Sequence, residues 1–536
     1  MAVHSIILML TLLPMFEADL LTSVYDVNKL LYAESDMAVI LEDYINQERY
    51  RLNRLEEIAR DYRIHSSDGL QQPEKSVDNL VNTFITMKRF TTDWKNIYDG
   101  YVESNSTHYL KSKMQDVSEA FPTEEDLQST ALALMRLQDT YGLSLSEMAN
   151  GEVEGIEGGD QLSADDCFEV GRIAYNKEDY YHAILWIEHA LQLILDGEPA
   201  IIDKETIFDY LNFAYFLEKD INKAKYYAEQ WLEIDPDSRR AKNNIKHYDK
   251  LLADNEEKER CDKNEAFCLK PVEVKRVIER KRSDFQKGNS YHNYEALCRG
   301  EEPFKMPGKH SLYCSYKKPH PIYMYAPLKE EILSFEPRLV IFHGILTETE
   351  IAKAREIAQP NLQRSAVFRE KPDGEARLTE SRTSKTSWIH DDEDDLIKGI
   401  SFKSSAASGL SLETVEQFQV VSYGIGGHYE PHYDFSRDGE IGGYDPTIGN
   451  RIATFICYLA HVEAGGATVF PEMGARIVPV KGSCALWFNL LRNGTQDFRT
   501  LHAGCPVLTG SKWIGTKWFH EKGQEFRRQC DIDPLI

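Results

Sequence analysis

The chain has 536 residues, 42% of them hydrophobic and 11% aromatic, and 62 Lys+Arg stand against 87 Asp+Glu for a net charge of −25. At about 100 to 200 residues per domain this length predicts three or four domains, and the apolar content excludes an acidic disordered protein. The acidity excludes a chain whose main partner is nucleic acid, because phosphate binding needs a basic face.

Ser5 to Phe16 (SIILMLTLLPMF) form an apolar run followed abruptly by Glu17, Ala18 and Asp19. The run has the length of a signal-peptide core and is too short to span a bilayer. Residues 1–18 therefore read as a secretory signal, with the mature chain soluble in the secretory pathway and no transmembrane segment. In that compartment the sequons at Asn105 and Asn493 become glycosylation sites. The chain ends Asp533-Pro534-Leu535-Ile536, without a KDEL-type retention signal.

Beyond the signal, apolar residues recur at steps of three and four: Val24, Val27, Leu31, then Met37, Leu41, Tyr44, then Leu52, Leu55, Ala59, Tyr62. This spacing predicts a long helix with a coiled-coil-like seam. Two readings stand, an ordinary helical domain and a dimerisation module. A second helix is expected around Leu80, Val81 and Phe84, and a third from Pro122-Thr123, where Thr123 can cap.

After the Gly- and Glu-rich stretch Asn150 to Gln161 comes an internal repeat. With Ala164 and Glu205 as first positions, Gly171, Ala183 and Ala190 fill tetratricopeptide places in one unit, and Leu211, Tyr215, Ala224 and Pro236 do so in the next. The offset is 41 residues against about 34 in the standard repeat, so the segment Leu195 to Ile201 is expected to bulge out. A following helix, Arg239 to Leu252, completes a groove walled by Tyr175, Tyr180, Tyr181, Tyr210, Phe213 and Tyr215. Such aromatics serve either helix packing or the binding of an extended, proline-rich peptide, whose preformed polyproline II helix loses little entropy on docking.

From Asp254 to Lys287 the chain is highly charged and reads as a solvated connector. Strands are then expected at Arg338–His343, Gln417–Tyr423, Arg451–Ala460, Ala475–Val480 and Ser483–Asn489, with a capping box at Thr347 and Glu350 opening a helix to Ala358. Many short strands with two flanking helices predict a β-sandwich or barrel.

Within this β domain His432 and Asp434 alternate onto one side of an extended segment, and His502 follows in Leu501-His502-Ala503. Two histidines and one carboxylate can hold Fe(II) on one face and leave positions open for chemistry. The same donors also suit a hydrolytic zinc site. Lys512, ten residues after His502, favours iron: a dicarboxylic co-substrate chelating the metal needs a cation for its far carboxylate. His428 precedes this set and reads as non-ligating.

His432-x-Asp434, Gly449-Asn450-Arg451-Ile452-Ala453-Thr454, Gly465 to Pro471, His502-Ala503-x-Cys505-Pro506-Val507, Lys512-Trp513 and His520 to Arg528 together resemble the catalytic domain of collagen prolyl 4-hydroxylase alpha subunits. The resemblance extends over nearly the whole chain. It implies a signal peptide (1–18), a helical dimerisation domain (19–148) and a tetratricopeptide-type peptide-substrate-binding domain (149–252). A charged linker (253–296) and a catalytic double-stranded β-helix, or jelly roll (297–536, core 415–523), complete the division.

For the site, the resemblance implies His432, Asp434 and His502 as iron ligands, Lys512 on the C5 carboxylate of 2-oxoglutarate, and His520 assisting co-substrate binding and decarboxylation. Tyr423 and Thr454 are expected to line the same pocket and Arg451 to face the peptide. Tyr175, Tyr210, Arg240 and Asn244 match positions that grip a proline-rich peptide, although Phe213 and His247 stand where tyrosines are usual.

The implied activity is hydroxylation of proline at C4 in X-Pro-Gly sequences, using O2, converting 2-oxoglutarate to succinate and CO2 and supported by ascorbate. The implied assembly is an α2β2 tetramer with protein disulfide isomerase in the endoplasmic reticulum lumen, acting on procollagen. Cys298–Cys314 and Cys505–Cys530 match family disulfides, Cys261 and Cys268 are a further candidate pair, and Cys167, Cys457 and Cys484 in apolar contexts read as buried thiols. Prolyl 3- or lysyl hydroxylation and a noncatalytic collagen-binding chaperone are the alternatives.

Overall fold

The computed structural model describes residues 49–71, 73, 78–102, 124–153, 160–262, 280–304, 312–365, 367–368, 376–377, 381–437 and 447–531. The apolar run at 5–16, the first two seam groups, the sequon at Asn105, Thr123 and the Cys261–Cys268 pairing lie outside what is described. The chain divides into two compact units, 1–73 with 95–113, and 74–94 with 114–536. In the first, helix α1 (49–71) carries the third seam group, and Leu52, Ile64 and Leu70 on it are exposed.

The second unit begins with α2 (Leu80–Lys88), which Asn79 caps by accepting from the backbone N–H groups of Val81 and Asn82. Helices α3 (Glu124–Tyr141) and α4 (Leu145–Ala149) follow. The repeat appears as two antiparallel pairs, α5 (Ala164–Asn176) with α6 (Tyr180–Leu195) and α7 (Lys204–Leu217) with α8 (Ile221–Ile234), closed by α9 (Arg239–Asp262). Ser163, Asp179, Asp203 and Asp220 cap the first four by accepting from a backbone N–H three residues on. Gly171 lets α5 and α6 touch: a Cβ there would sit 2.5 Å from Ile187 Cγ1. The extra residues of the longer repeat fall between α6 and α7, where Leu195 and Ile201 face solvent.

The expected solvated connector is partly buried. Arg280 and Arg282 pair with Glu295, itself 4% exposed, at 3.0 and 2.8 Å. Glu295 belongs to α10 (Asn289–Cys298), whose Tyr291, Tyr294 and Leu297 are buried, so this helix crosses the boundary expected at 296/297. An aromatic stripe inside a charged stretch is what the overall charge obscured.

The C-terminal part is built on two large antiparallel sheets, with two further two-stranded pairs, Ala464–Gly465 with Val507–Thr509 and Val367–Phe368 with Ala376–Arg377. Its strands are β1 (Cys314–Lys317), β2 (Leu328–Ser334), β3 (Leu339–His343), β4 (Gln363–Arg364), β5 (Lys385–Ile389), β6 (Phe418–Tyr423) and β7 (Tyr429–His432). They continue with β8 (Arg451–Tyr458), β9 (Thr468–Phe470), β10 (Ala475–Ile477), β11 (Cys484–Phe488), β12 (His502–Gly504) and β13 (Lys512–His520). The nine-stranded sheet has the order β1-β2-β3-β11-β8-β13-β6-β5-β4, and the four-stranded sheet β10-β9-β12-β7. This is the expected double-stranded β-helix.

Alternation in the central strands separates two cores. Ala453, Phe455 and Cys457 of β8 and Trp513 and Phe519 of β13 face the outer helices α11 (Glu348–Ala358) and α12 (Asp395–Ser408), with the Thr347/Glu350 capping box opening α11 as expected. Ile456, Tyr458 and Ile514 face the small sheet.

The cysteine pairing differs from expectation. Cys298 is joined to Cys505, and Cys457 to Cys484, while Cys314 and Cys530 are exposed thiols. The reason is tertiary. Helix α10 turns back onto the small sheet, where Asn293 Nδ2 donates to Pro471 O at 3.1 Å, and this carries Cys298 to the end of β12. Cys457 and Cys484 do sit in an apolar core, but they are direct cross-strand partners in β8 and β11. Cys167 is a buried thiol as expected. Non-reducing peptide mapping of the full chain should recover the Cys298–Cys505 and Cys457–Cys484 links; a Cys298–Cys314 peptide would contradict this pairing.

Candidate metal and co-substrate site

The site is a cavity of about 460 Å³ between the two sheets. β7 and β12 pair so that His432 and His502 are direct cross-strand partners, and Asp434 follows two residues after His432. The donor atoms of the three lie within 4.8 Å of one another, with Asp434 Oδ1 3.8 Å from His432 Nε2 and Oδ2 3.5 Å from His502 Nε2.

Each imidazole is oriented by its own backbone. His432 Nδ1 donates to Glu430 O at 2.8 Å and His502 Nδ1 to Thr500 O at 3.0 Å, which leaves both Nε2 lone pairs aimed at the same point. Rings hold them there: Tyr429 stacks on His432 with centroids 3.5 Å apart, and Trp487 meets His502 at 4.8 Å. Thr454 donates to Asp434 Oδ2 at 2.6 Å, and Asn489 Nδ2 donates to Thr454 Oγ1 at 2.9 Å.

The electrostatics suit a divalent cation. Burial, with His502 alongside, pulls His432 down to about 3. Burial pushes the Asp434 carboxyl up, but the two histidines, Arg451 and the Thr454 bond outweigh it and hold it at about 2. Metal–ligand bonds of about 2.1 Å set at right angles bring donors to about 3 Å of one another. The three side chains fit Fe(II) once the carboxylate and the imidazoles, now 3.5 and 3.8 Å apart, draw in toward that spacing.

Lys512 enters the same cavity from β13, opposite Tyr423 of β6. It is 2% exposed, its Nζ reaches only the Thr468 hydroxyl at 3.4 Å, and no carboxylate pairs with it among the described residues. Burial lowers it to about 7. Tyr423, Thr454 and Arg451 also line the cavity. Arg451 lies over Trp518 at 4.0 Å and donates from Nη2 to Glu416 Oε2 at 2.9 Å.

His520 is placed differently from the expectation that it contacts the co-substrate. Its Nδ1 donates to Gly449 O at 2.8 Å and its Nε2 lies 2.9 Å from Glu416 Oε1, and it does not line the cavity. Its link to the site runs through Glu416 to Arg451. His428 is buried behind β7, with Nδ1 unpartnered, and lines a separate cavity. Glu416, Asn489 and Arg382, whose guanidinium lies 4.8 Å from the Tyr429 ring, carry no motif that would have singled them out; each is brought in by strand pairing alone.

In the helical groove Tyr175 and Tyr210 meet edge to face with centroids 4.8 Å apart, and Tyr180 adjoins Tyr175 at 5.6 Å. On α9 Arg240 pairs with Asp209 at 3.1 Å, and Asn244 Nδ2 donates to the buried Asn212 at 2.9 Å. Tyr215 is a core residue rather than a groove wall, fully buried and stacked on Tyr227.

Three family models match the chain: prolyl 4-hydroxylase alpha-subunit, N-terminal region, over 23–155; prolyl 4-hydroxylase peptide-substrate-binding domain, over 164–254; and the 2OG-Fe(II) oxygenase superfamily, over 418–520. Prolyl 4-hydroxylase subunit alpha-1 of Bos taurus is 36% identical over 518 residues, which is 96% of each chain. The chain belongs to the prolyl 4-hydroxylase alpha-subunit family. Subunit alpha-2 of Caenorhabditis elegans is 37% identical over 538 residues, covering 99% of this chain and 97% of its own. Among solved structures, the viral collagen prolyl hydroxylase of Paramecium Bursaria Chlorella virus-1 is 26% identical over 34% of this chain and 94% of its own, with a TM-score of 0.27. As a family member the chain is a 2-oxoglutarate- and Fe(II)-dependent dioxygenase, and the cavity described is the one place among the described residues where His, Cys, Asp or Glu side chains gather as metal donors.

Removing the Thr454 hydroxyl leaves Asp434 free to turn. Thr454→Val should weaken Fe(II) or Co(II) binding by about 10-fold, as loss of an outer-shell partner does. Titration of the purified variant measures this, and wild-type affinity would show that the hydroxyl does not organise the carboxylate.

Proposed function

We propose that the chain hydroxylates proline at C4 in X-Pro-Gly sequences of collagen-like chains, coupled to conversion of 2-oxoglutarate to succinate and CO2. The single observation that carries this reading is the coexistence, in one cavity, of an oriented His432/Asp434/His502 set and the uncompensated Lys512, on a chain that also matches a peptide-substrate-binding domain. When bound, Fe(II) supplies oxygen activation and the oxidation of a substrate C–H bond. His432, Asp434 and His502 hold it. Lys512 binds the far carboxylate of 2-oxoglutarate, beside the Tyr423 ring. Arg451, flat against Trp518 and neutralised by Glu416, presents a planar wall to the peptide without a net charge.

The groove supplies length recognition. Proline rings stack on aromatic faces, and the offset rings of Tyr175, Tyr180 and Tyr210 suit a polyproline II ligand, whose backbone Arg240 and Asn244 would bond by exchanging their present partners Asp209 and Asn212. We further propose an α2β2 assembly with protein disulfide isomerase in the endoplasmic reticulum lumen. No helix among the described residues is long and apolar enough to cross a membrane, and Leu52 and Leu70, exposed on one face of α1, support self-association of the N-terminal region.

The test is co-expression with protein disulfide isomerase, followed by mass spectrometry of a (Pro-Pro-Gly)-type peptide. A gain of one oxygen on the proline before glycine is expected only with 2-oxoglutarate, and His432→Ala or Asp434→Ala should abolish it. Peptide binding without oxygen gain would favour a chaperone, and oxygen on lysine a lysyl hydroxylase.

Lys512 adds a pH dependence. Its ammonium, which a carboxylate needs, is present below about 7 and lost above it. The Michaelis constant for 2-oxoglutarate should therefore be flat below about pH 7 and rise by about 10-fold per unit above it, a dependence that Lys512→Met should remove along with most of the affinity.

A further inference from the structure

The two strands that bear the histidine ligands adjoin connecting segments held by a helix remote in sequence. Gly426-Gly427 precedes β7 and Pro506-Val507 follows β12, and these segments are bonded to each other: Gly426 N–H donates to Val507 O at 2.8 Å and Val507 N–H to Gly427 O at 3.1 Å. Helix α3 reaches both. Arg136 Nη1 donates to Gly426 O at 2.9 Å, and the Tyr141 hydroxyl donates to Pro506 O at 2.6 Å, an oxygen that also accepts from Gly466 N–H. The approach is close: a Cβ on Gly426, whose φ is +72, would lie 2.5 Å from Ala133 Cβ, and one on Gly465 would lie 2.8 Å from the Tyr141 hydroxyl.

The other side of the same helix holds the peptide-binding domain. Asp139 pairs with His182 of α6 at 3.2 Å and with Arg280 of the connector at 2.8 Å.

We infer that α3, which lies outside the oxygenase domain in sequence, is a positioning element of the metal centre, fixing through Arg136 and Tyr141 the two connecting segments that set the spacing of His432 and His502. The inference rests on the metal-site reading given above. His432 and His502 sit on short strands, four and three residues long, which cannot fix their own separation to the few tenths of an ångström that a metal requires. An external clamp on both connecting segments supplies that constraint.

Co(II), redox-inert and spectroscopically visible, is the probe, titrated into the full-length chain. Tyr141→Phe, which removes one oxygen, and Arg136→Met should each weaken Co(II) binding by about 3- to 10-fold and shift its visible bands, and Arg136→Lys should recover most of the loss. Thr347→Ala, which uncaps α11 on the far side of the large sheet, should lower the melting temperature without changing Co(II) affinity. Wild-type Co(II) affinity and spectrum in Tyr141→Phe and Arg136→Met overturn the inference, as does an equal loss of affinity in Thr347→Ala. A wild-type chain that binds no Co(II) instead overturns the metal-site reading, and the inference with it.

Discussion

The antiparallel pairing of β7 with β12 is the constraint from which the rest of the site follows. It sets His432 opposite His502, and because side chains alternate, a slip of one residue in either strand would turn one imidazole out of the cavity. The neighbouring features protect that register. The Nδ1 bonds to carbonyls two residues earlier fix each ring, the disulfide at Cys505 holds the strand end, and the adjoining segments are clamped by α3. The large sheet, by contrast, contributes through its long central strands β8 and β13, which place Thr454, Lys512 and Trp518 along one wall.

Charge within this enclosed space is distributed with little redundancy. Arg451 and Glu416 cancel one another, and His520 completes that group from behind. Asp434 with two imidazoles is left in want of a cation, and Lys512 in want of an anion. Buried groups in that condition are costly unless a ligand arrives, so the empty fold is under electrostatic tension that a metal and a dicarboxylate relieve together. The stability of the domain is thereby linked to its loading.

Much of this was legible in the sequence where the signal is local. His432-x-Asp434 reads as a pair because alternation is a property of any strand, the Thr347/Glu350 box announces α11, and the 41-residue repeat locates its own insertion. What was hidden depends on contacts between distant segments. Glu416 is one acidic residue among 87 Asp+Glu, and only the β6–β13 pairing brings it to His520. Tyr215 resembled Tyr210 in sequence, yet one faces the helix core and the other the groove. The cysteine pairing differs for the same reason: the family resemblance implied Cys298 with Cys314 and Cys505 with Cys530, whereas the path of α10 brings Cys298 to Cys505.

That partnership has a consequence for biosynthesis. The two sulfurs are separated by 207 residues, so Cys298 emerges from the ribosome long before Cys505 exists; at 5 to 20 residues per second the wait is roughly 10 to 40 s. Throughout that interval Cys314 is the thiol nearest in sequence. A Cys298–Cys314 link, if made in that interval, would have to be undone by thiolate attack before the Cys298–Cys505 bond could close. The covalent tie beside the metal centre can therefore close only after nearly the whole oxygenase domain has been made, so it locks a strand end that is already placed rather than guiding the chain toward it.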